Sequence, residues 1–258
     1  MLIYYLVLSA KREPWLSVQK KGIDETWRKR LLPGNSLLYL YGDYSLGESN
    51  SNRDFYLDPE KERRIVREIQ EPIAIDDSGI CFKTYTGWDS LLHKTVSCLS
   101  YLLENSDAEY FLRSAVSTFW NPTATEKLLK QIEQNHGSRF IAGSKKKLLS
   151  HEYVEGSSLI ISRSAAQEIV ENVAMLNFEI IDDVAIGMLA KSLSIQMLDF
   201  PRPRLESTWD FFDTRFGKLE DIYSFRCKTQ KKYDKGKMPH DAKIMKRLHT
   251  ILLKTNNY

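Results

Sequence analysis

The run Leu2-Ile3-Tyr4-Tyr5-Leu6-Val7-Leu8, followed at once by Ser9-Ala10-Lys11-Arg12, decides the fold class. An unbroken apolar and aromatic stretch of this length, ended sharply by polar residues, reads as a strand buried on both faces. A parallel sheet covered by helices needs such strands. Working outward, Ser36-Leu37-Leu38-Tyr39-Leu40-Tyr41 is a second one, stopped by Gly42-Asp43. Between them, Trp15 to Leu32 mixes charged and apolar residues and reads as a helix crossing over to a parallel neighbour.

The rest of the chain continues the alternation. Residues 44–72 read as a loop followed by a surface helix. Asp89 can cap a helix whose buried face is Leu92, Val96, Leu99 and Leu103. Tyr110-Phe111-Leu112 reads as a short buried strand. A helix begins near Thr123, with Glu126 at capping-box spacing, and ends before Gly137. Ser158–Ile161 is a strand leading into a helix with a second such pair, Ser164 and Gln167. Asp241–Leu253 is helical, packing through Ile244, Leu248, Ile251 and Leu252. The prediction is an α/β/α sandwich with a mostly parallel central sheet, one domain spanning residues 1–258. Within it, 1–112 would be a nucleotide-binding half and 113–258 an acceptor-binding and catalytic half.

Composition sets the outer bounds. The chain has 258 residues, 42% of them hydrophobic, and no Pro/Gly/Ser-rich break, so it can bury one sizeable core. With 37 basic and 34 acidic residues the net charge is only +3, too little to imply a nucleic-acid partner, and no aromatic-basic interleaving of a nucleic-acid module is present. Cys81, Cys98 and Cys227 show no metal-ligand spacing and read as reduced thiols of a cytoplasmic protein. The opening apolar run is too short to span a bilayer, so neither a leader nor a transmembrane segment is expected. His93, His136, His151, His240 and His249 form no metal-binding pair. Lys145-Lys146-Lys147 and the basic stretch from Lys228 to Arg247 are either solvated faces or contacts to anionic acceptors or membrane headgroups.

Open α/β sheets bind ligands beyond the carboxyl ends of their strands. That directs attention to Ser9, Lys11 and Arg12, to Asp43, and to Arg113-Ser114-Ala115-Val116-Ser117. None of these segments is a glycine-rich phosphate loop, so the P-loop and dinucleotide-binding readings lose their support. The hydroxyls and arginine after Leu112 suit either a diphosphate or an ordinary polar turn.

Several blocks, in order, resemble the Fringe and β-1,3-galactosyltransferase group. They are Thr26-Trp27, Tyr41-Gly42-Asp43, Lys94-Thr95, Tyr110-Phe111-Leu112-Arg113, Val154-Glu155-Gly156-Ser157-Ser158 with Ile161-Ser162, Ile181-Asp182-Asp183-Val184-Ala185-Ile186-Gly187, and Phe225-Arg226-Cys227-Lys228. The resemblance implies a GT-A-like fold and a glycosyltransferase that moves a sugar from a nucleotide-sugar donor, a UDP-sugar first, to a glycan hydroxyl with a β-linkage. The alternative is a non-catalytic sugar- or nucleotide-binding descendant of the same fold.

The resemblance also implies roles. Asp183 would be the general base and Asp182 an orienting or acceptor-binding neighbour. Ser9, Lys11, Arg12, Asp43, Lys94, Arg113, Ser114, Ser117, Arg226 and Lys228 would face the donor. Gly156, Ser157 and Ser158 would form a turn beside the acceptor, with Trp120 or Trp209 as a sugar platform. Lys94, placed off its helix's apolar face, suits an ion pair as well as a donor contact. Gly187 would let the helix after the acidic pair pack closely. The group holds Mn²⁺ or Mg²⁺ with an Asp-rich motif and a late histidine. Here those positions are Ala115-Val116-Ser117 and Arg226, so the expectation is catalysis without a required metal, the charge supplied by Arg113, Arg226 and Lys228.

Overall fold

The computed structural model describes residues 1–46, 69–77, 79–87, 90–208, 210, 218–228 and 240–254. The expected surface helix within 44–72 falls almost wholly outside these residues. So do the Asp89 cap, Trp209 and residues 229–239 of the basic stretch.

The predicted opening strands are present as β1 (Ile3–Leu8) and β2 (Ser36–Gly42), paired in parallel. The crossover between them is not one helix. It breaks into α1 (Trp15–Val18), a π-helical turn (Gln19–Asp24) and a 3-10 turn (Trp27–Arg30). Two residues account for the break. The Thr26 hydroxyl donates to the Gly22 carbonyl, competing with the helical ladder. Gly22 itself lies so close to the C-terminal helix that a Cβ would meet Met245 Sδ at 2.8 Å.

Beyond β2 come β3 (Pro72–Asp76), β4 (Gly79–Phe82), α2 (Leu91–Asn105), β5 (Tyr110–Ala115), β6 (Thr118–Trp120), α3 (Pro122–His136) and β7 (Phe140–Gly143). Then follow β8 (Lys145–Leu148), β9 (His151–Val154), β10 (Ser158–Ser162), α4 (Arg163–Glu171), α5 (Asp182–Ser192) and β11 (Gln196–Asp199). The chain closes with β12 (Arg204–Leu205), β13 (Ser224–Cys227) and α6 (His240–Lys254). The helix starts are shifted from expectation: Asn121 and Ser162 are the caps of α3 and α4, accepting from Ala124 N and Ala165 N.

The main sheet has eight strands in the order β11-β7-β10-β5-β1-β2-β4-β3, and only β3 and β10 run against the others. This is the mostly parallel sandwich that the alternation predicts. Helices cover both faces. Ile3, Tyr5 and Val7 of β1 point into a core shared with α3 and α6, while Leu6 and Leu8 point into one shared with α2, α4 and α5. A three-stranded sheet, β12-β13-β6, and the β8–β9 hairpin complete the molecule. Leu112 and Arg113 are consecutive in β5, so the two expected halves meet on one central strand.

Candidate active site

Strand parity decides which residues after Leu112 reach the ligand end. Phe111 belongs to the core beside α2, α4 and α5, and Arg113, two residues on, points the same way. Arg113 Nη2 there donates to Asp182 Oδ2 at the start of α5, with both side chains about 5% exposed or less. Ser114 takes the other face. It is fully buried, and its Oγ accepts from Trp120 Nε1 at 3.2 Å. Two expectations are thereby corrected. Ser114 is not available to a donor, and Trp120, with no exposed surface and packed on Tyr5 and Tyr223, offers no face to a sugar.

The acidic pair sits where α5 begins. Asp183 accepts from Gly156 N at 3.0 Å through Oδ2 and from Val184 N at 3.0 Å through Oδ1. Burial, and then the neighbouring Asp182 charge, push its carboxyl up to about 6. Gly156 packs closely here: a Cβ would lie 2.0 Å from Arg113 Nη1 and 3.2 Å from Asp183 Cβ, so a larger residue would displace the Arg113 guanidinium. Gly187 has the packing role expected of it. A Cβ would meet the Tyr153 Cα at 2.8 Å and the Glu152 carbonyl at 2.9 Å, so α5 lies directly against β9. Gly187→Ala should lower stability by roughly 1–3 kcal/mol, the usual range for overpacking, and chemical denaturation would measure it.

Lys94 corrects another expectation. It is 2% exposed, because Leu92 to Leu99 of α2 are all buried, and it lies within electrostatic reach of Asp182, Arg113 and Cys81. Burial lowers its ammonium to about 8 against the opposing pull of Asp182. Cys81 in turn lies near Lys11 and Asp43, so Lys11, Asp43, Lys94, Asp182, Arg113 and Asp183 form one chain of electrostatic neighbours along the strand ends.

The other wall combines β13 with the turn after β9. Arg226 is half-buried beside Arg202 and Glu155; desolvation first, then Arg202, lowers its guanidinium to about 10. Its Nη1 is buried without a hydrogen-bond partner, as is Arg113 Nε. Arg202 was not anticipated from sequence. It pairs with Glu155 Oε1 at 3.1 Å, donates to Ser158 Oγ at 2.5 Å and reaches Ser157 Oγ. Burial alone would raise the Glu155 carboxyl, but Arg202 and the Ser157 hydroxyl at 2.7 Å hold it below its usual range. The signal was an arginine between prolines, Pro201-Arg202-Pro203, just after a strand. Ser158 is corrected accordingly: its buried hydroxyl serves Arg202 and not an acceptor.

The remaining expected residues are dispersed along the rim. Ser9 Oγ bonds Gln19 Oε1 at 3.1 Å inside the packed crossover. Lys11 lies 3.7 Å from Asp76 and over the Tyr41 ring, and Arg12 stacks on Trp15. Asp43 is held by the Ser45 amide and hydroxyl at 2.8 and 2.7 Å. The Ser117 carbonyl accepts from Cys227 N, and Lys228 N bonds Leu205 O, so both residues help to join the small sheet. Among the described residues no three His, Cys, Asp or Glu side chains gather as metal ligands. Ala115, Val116 and Ser117 offer no carboxylate and Asp182 is engaged by Arg113, so the residues present do not fit a divalent cation at the position the resemblance implies.

The α/β sandwich thus carries a buried acidic pair, a glycine turn against it and arginines on the facing wall. The family whose sequence model matches is the one described as Galactosyltransferase, over residues 144–201, less than a quarter of the chain. That segment holds both the Gly156 turn and the Asp182-Asp183 pair. No curated protein sequence matches the chain. Similar solved structures include mouse xyloside xylosyltransferase 1 in its apo form, 7% identical with a TM-score of 0.38 over 88% of this chain and 97% of that one. The galactosyltransferase LgtC, in complex with donor and acceptor sugar analogs, is 10% identical with a TM-score of 0.42, covering 97% and 96%. Apo GlyE of Streptococcus pneumoniae TIGR4 is 10% identical with a TM-score of 0.43, covering 99% of this chain and 64% of that one.

Proposed function

We propose that the protein transfers a sugar from a nucleotide-sugar donor, a UDP-sugar first, to a glycan hydroxyl with inversion at the anomeric carbon, giving a β-linkage. The observation that carries this reading is the Asp183 carboxylate, fixed by Gly156 N and Val184 N and buried beside the Arg113–Asp182 pair. In this reading Asp183 takes the acceptor hydroxyl's proton, the freed oxygen bonds to the anomeric carbon, and the bond to the diphosphate breaks. The departing charge is met by Arg226, whose Nη1 has no protein partner. Arg113 acts indirectly here, since its guanidinium already holds Asp182.

The reading includes catalysis without a divalent cation. Turnover of a panel of UDP-, GDP- and dTDP-sugars in excess chelator tests it, and product anomeric configuration is read by NMR. Retained turnover with an inverted product is expected. Strict Mn²⁺ dependence overturns the metal-free part, and donor binding without turnover under any condition favours a binding descendant of the fold.

A pH profile checks the base. Asp183 works only when ionised, and its carboxyl is raised to about 6, so kcat/KM should climb through about pH 6 and level off above it. The Asp182 charge is the second contribution holding that value up. Asp182→Asn should therefore move the acid limb to lower pH.

A further inference from the structure

We propose that the β8–β9 hairpin docks the protein on anionic lipid surfaces, with Leu148 and Leu149 entering the interface and the lysines of β8 meeting the headgroups. The hairpin tip is the most exposed apolar feature among the described residues: Leu149 is 88% exposed and Leu148 47%. Behind them β8 is Lys145-Lys146-Lys147, and Lys191, in the last turn of α5, lies close enough to Glu152 to act on its carboxyl. These four lysines face three acids: Glu152, which Lys145 pairs at 3.0 Å, Asp199, which accepts from Lys145 N at the hairpin's base, and Glu155, held by Arg202 within reach of Lys146. Lys146 and Lys147 are both exposed. A cationic collar around an apolar tip matches the layering of an acidic membrane, where phosphate headgroups lie outside acyl chains.

The fold itself has no use for a leucine at the tip. Leu148 pairs with His151, which leaves Leu149-Ser150 as a two-residue turn. A two-residue turn with positive φ at its first central position favours Gly there, or Asn, which tolerates the left-handed region. Leu149 has a φ of 53°, a backbone conformation that disfavours a bulky L-residue, and it places its side chain in water. Two unfavourable choices at one position, backbone and hydration, are both offset if the side chain leaves water for acyl chains.

The test is co-sedimentation with vesicles, and it needs no turnover, so its outcome is separate from that of the proposed reaction. Vesicles of phosphatidylcholine alone are compared with vesicles of equal parts phosphatidylcholine and phosphatidylglycerol. Binding is expected only to the acidic vesicles and should fall as salt rises. Lys146→Glu with Lys147→Glu should reduce partitioning by about tenfold or more, as should Leu148→Ser with Leu149→Asn. Asn suits the turn, so the melting temperature of the Leu149→Asn protein should hold or rise. That separates lost docking from lost folding. The proposal is overturned if the unaltered protein stays in the supernatant with both vesicle types, or if the variants bind as it does. A dimer in solution that disappears on Leu148→Ser would also overturn it, assigning the patch to a second copy of the chain.

Discussion

Asp183→Asn should lower kcat by about a thousandfold while leaving the donor's KM within a fewfold. Removal of a positioned general base costs 10²- to 10⁴-fold in typical enzymes, and an amide cannot take the acceptor's proton. The substitution keeps the side chain's size but leaves one acceptor oxygen, so either Gly156 N or Val184 N loses its partner, and the Tm of the variant is measured beside its kinetics. Steady-state kinetics with saturating acceptor, together with donor binding by calorimetry, separates the two quantities. The acid limb near pH 6 should vanish with the carboxylate. Turnover within threefold of the unaltered enzyme would remove Asp183 from the chemistry and take the inverting mechanism with it.

The second large effect is on stability. Arg113 and Asp182 form an ion pair whose side chains are 5% and 4% exposed, on the central strand and the first turn of α5. Removing one member leaves the other charged and desolvated. Arg113→Met should therefore cost about 3–5 kcal/mol, which for a chain of this size lowers Tm by on the order of 10 °C. Adding Asp182→Asn should recover much of that loss, because neither charge then remains buried alone. A double-mutant cycle by urea denaturation measures the coupling. Additive losses would mean that the pair contributes little and that Arg113 stabilises by packing.

Much of the fold was legible because burial leaves a plain mark on sequence. Two-sided strands such as Ile3–Leu8 are continuous apolar runs, and α6 shows its buried face in Ile244, Leu248 and Leu252. The strands that went unseen were short or solvent-facing. β3 is almost wholly exposed, and β8 is lysine-rich, so neither carries a hydrophobic pattern. The crossover between β1 and β2 looked helical because its composition is helical; the close approach of Gly22 to α6 is a tertiary constraint that local sequence does not express. At the site, the motif residues Gly156, Asp182, Asp183, Arg113 and Arg226 do converge, while Ser114 and Trp120 do not. The difference is one of strand parity. Adjacent residues on β5 project to opposite sides of the sheet, and a list of residues after a strand does not say which side faces the ligand. Arg202 was missed because its partners, Glu155, Ser157 and Ser158, lie more than forty positions earlier in the chain.

The antiparallel strand β10 lies between β5 and β7, and it pairs Ser158 with Ser114. Its reversed direction makes it start at the ligand end of the sheet, so the Glu155-Gly156-Ser157 turn just before it abuts segments far away in sequence. On the proposed reading, the groups around Asp183 cannot assemble before this non-local pairing has formed, and activity should be the last property regained on refolding. Helix content should return ahead of it, since the hydrogen-bond ladders of α2, α3 and α6 are local even though their buried faces pack on distant segments.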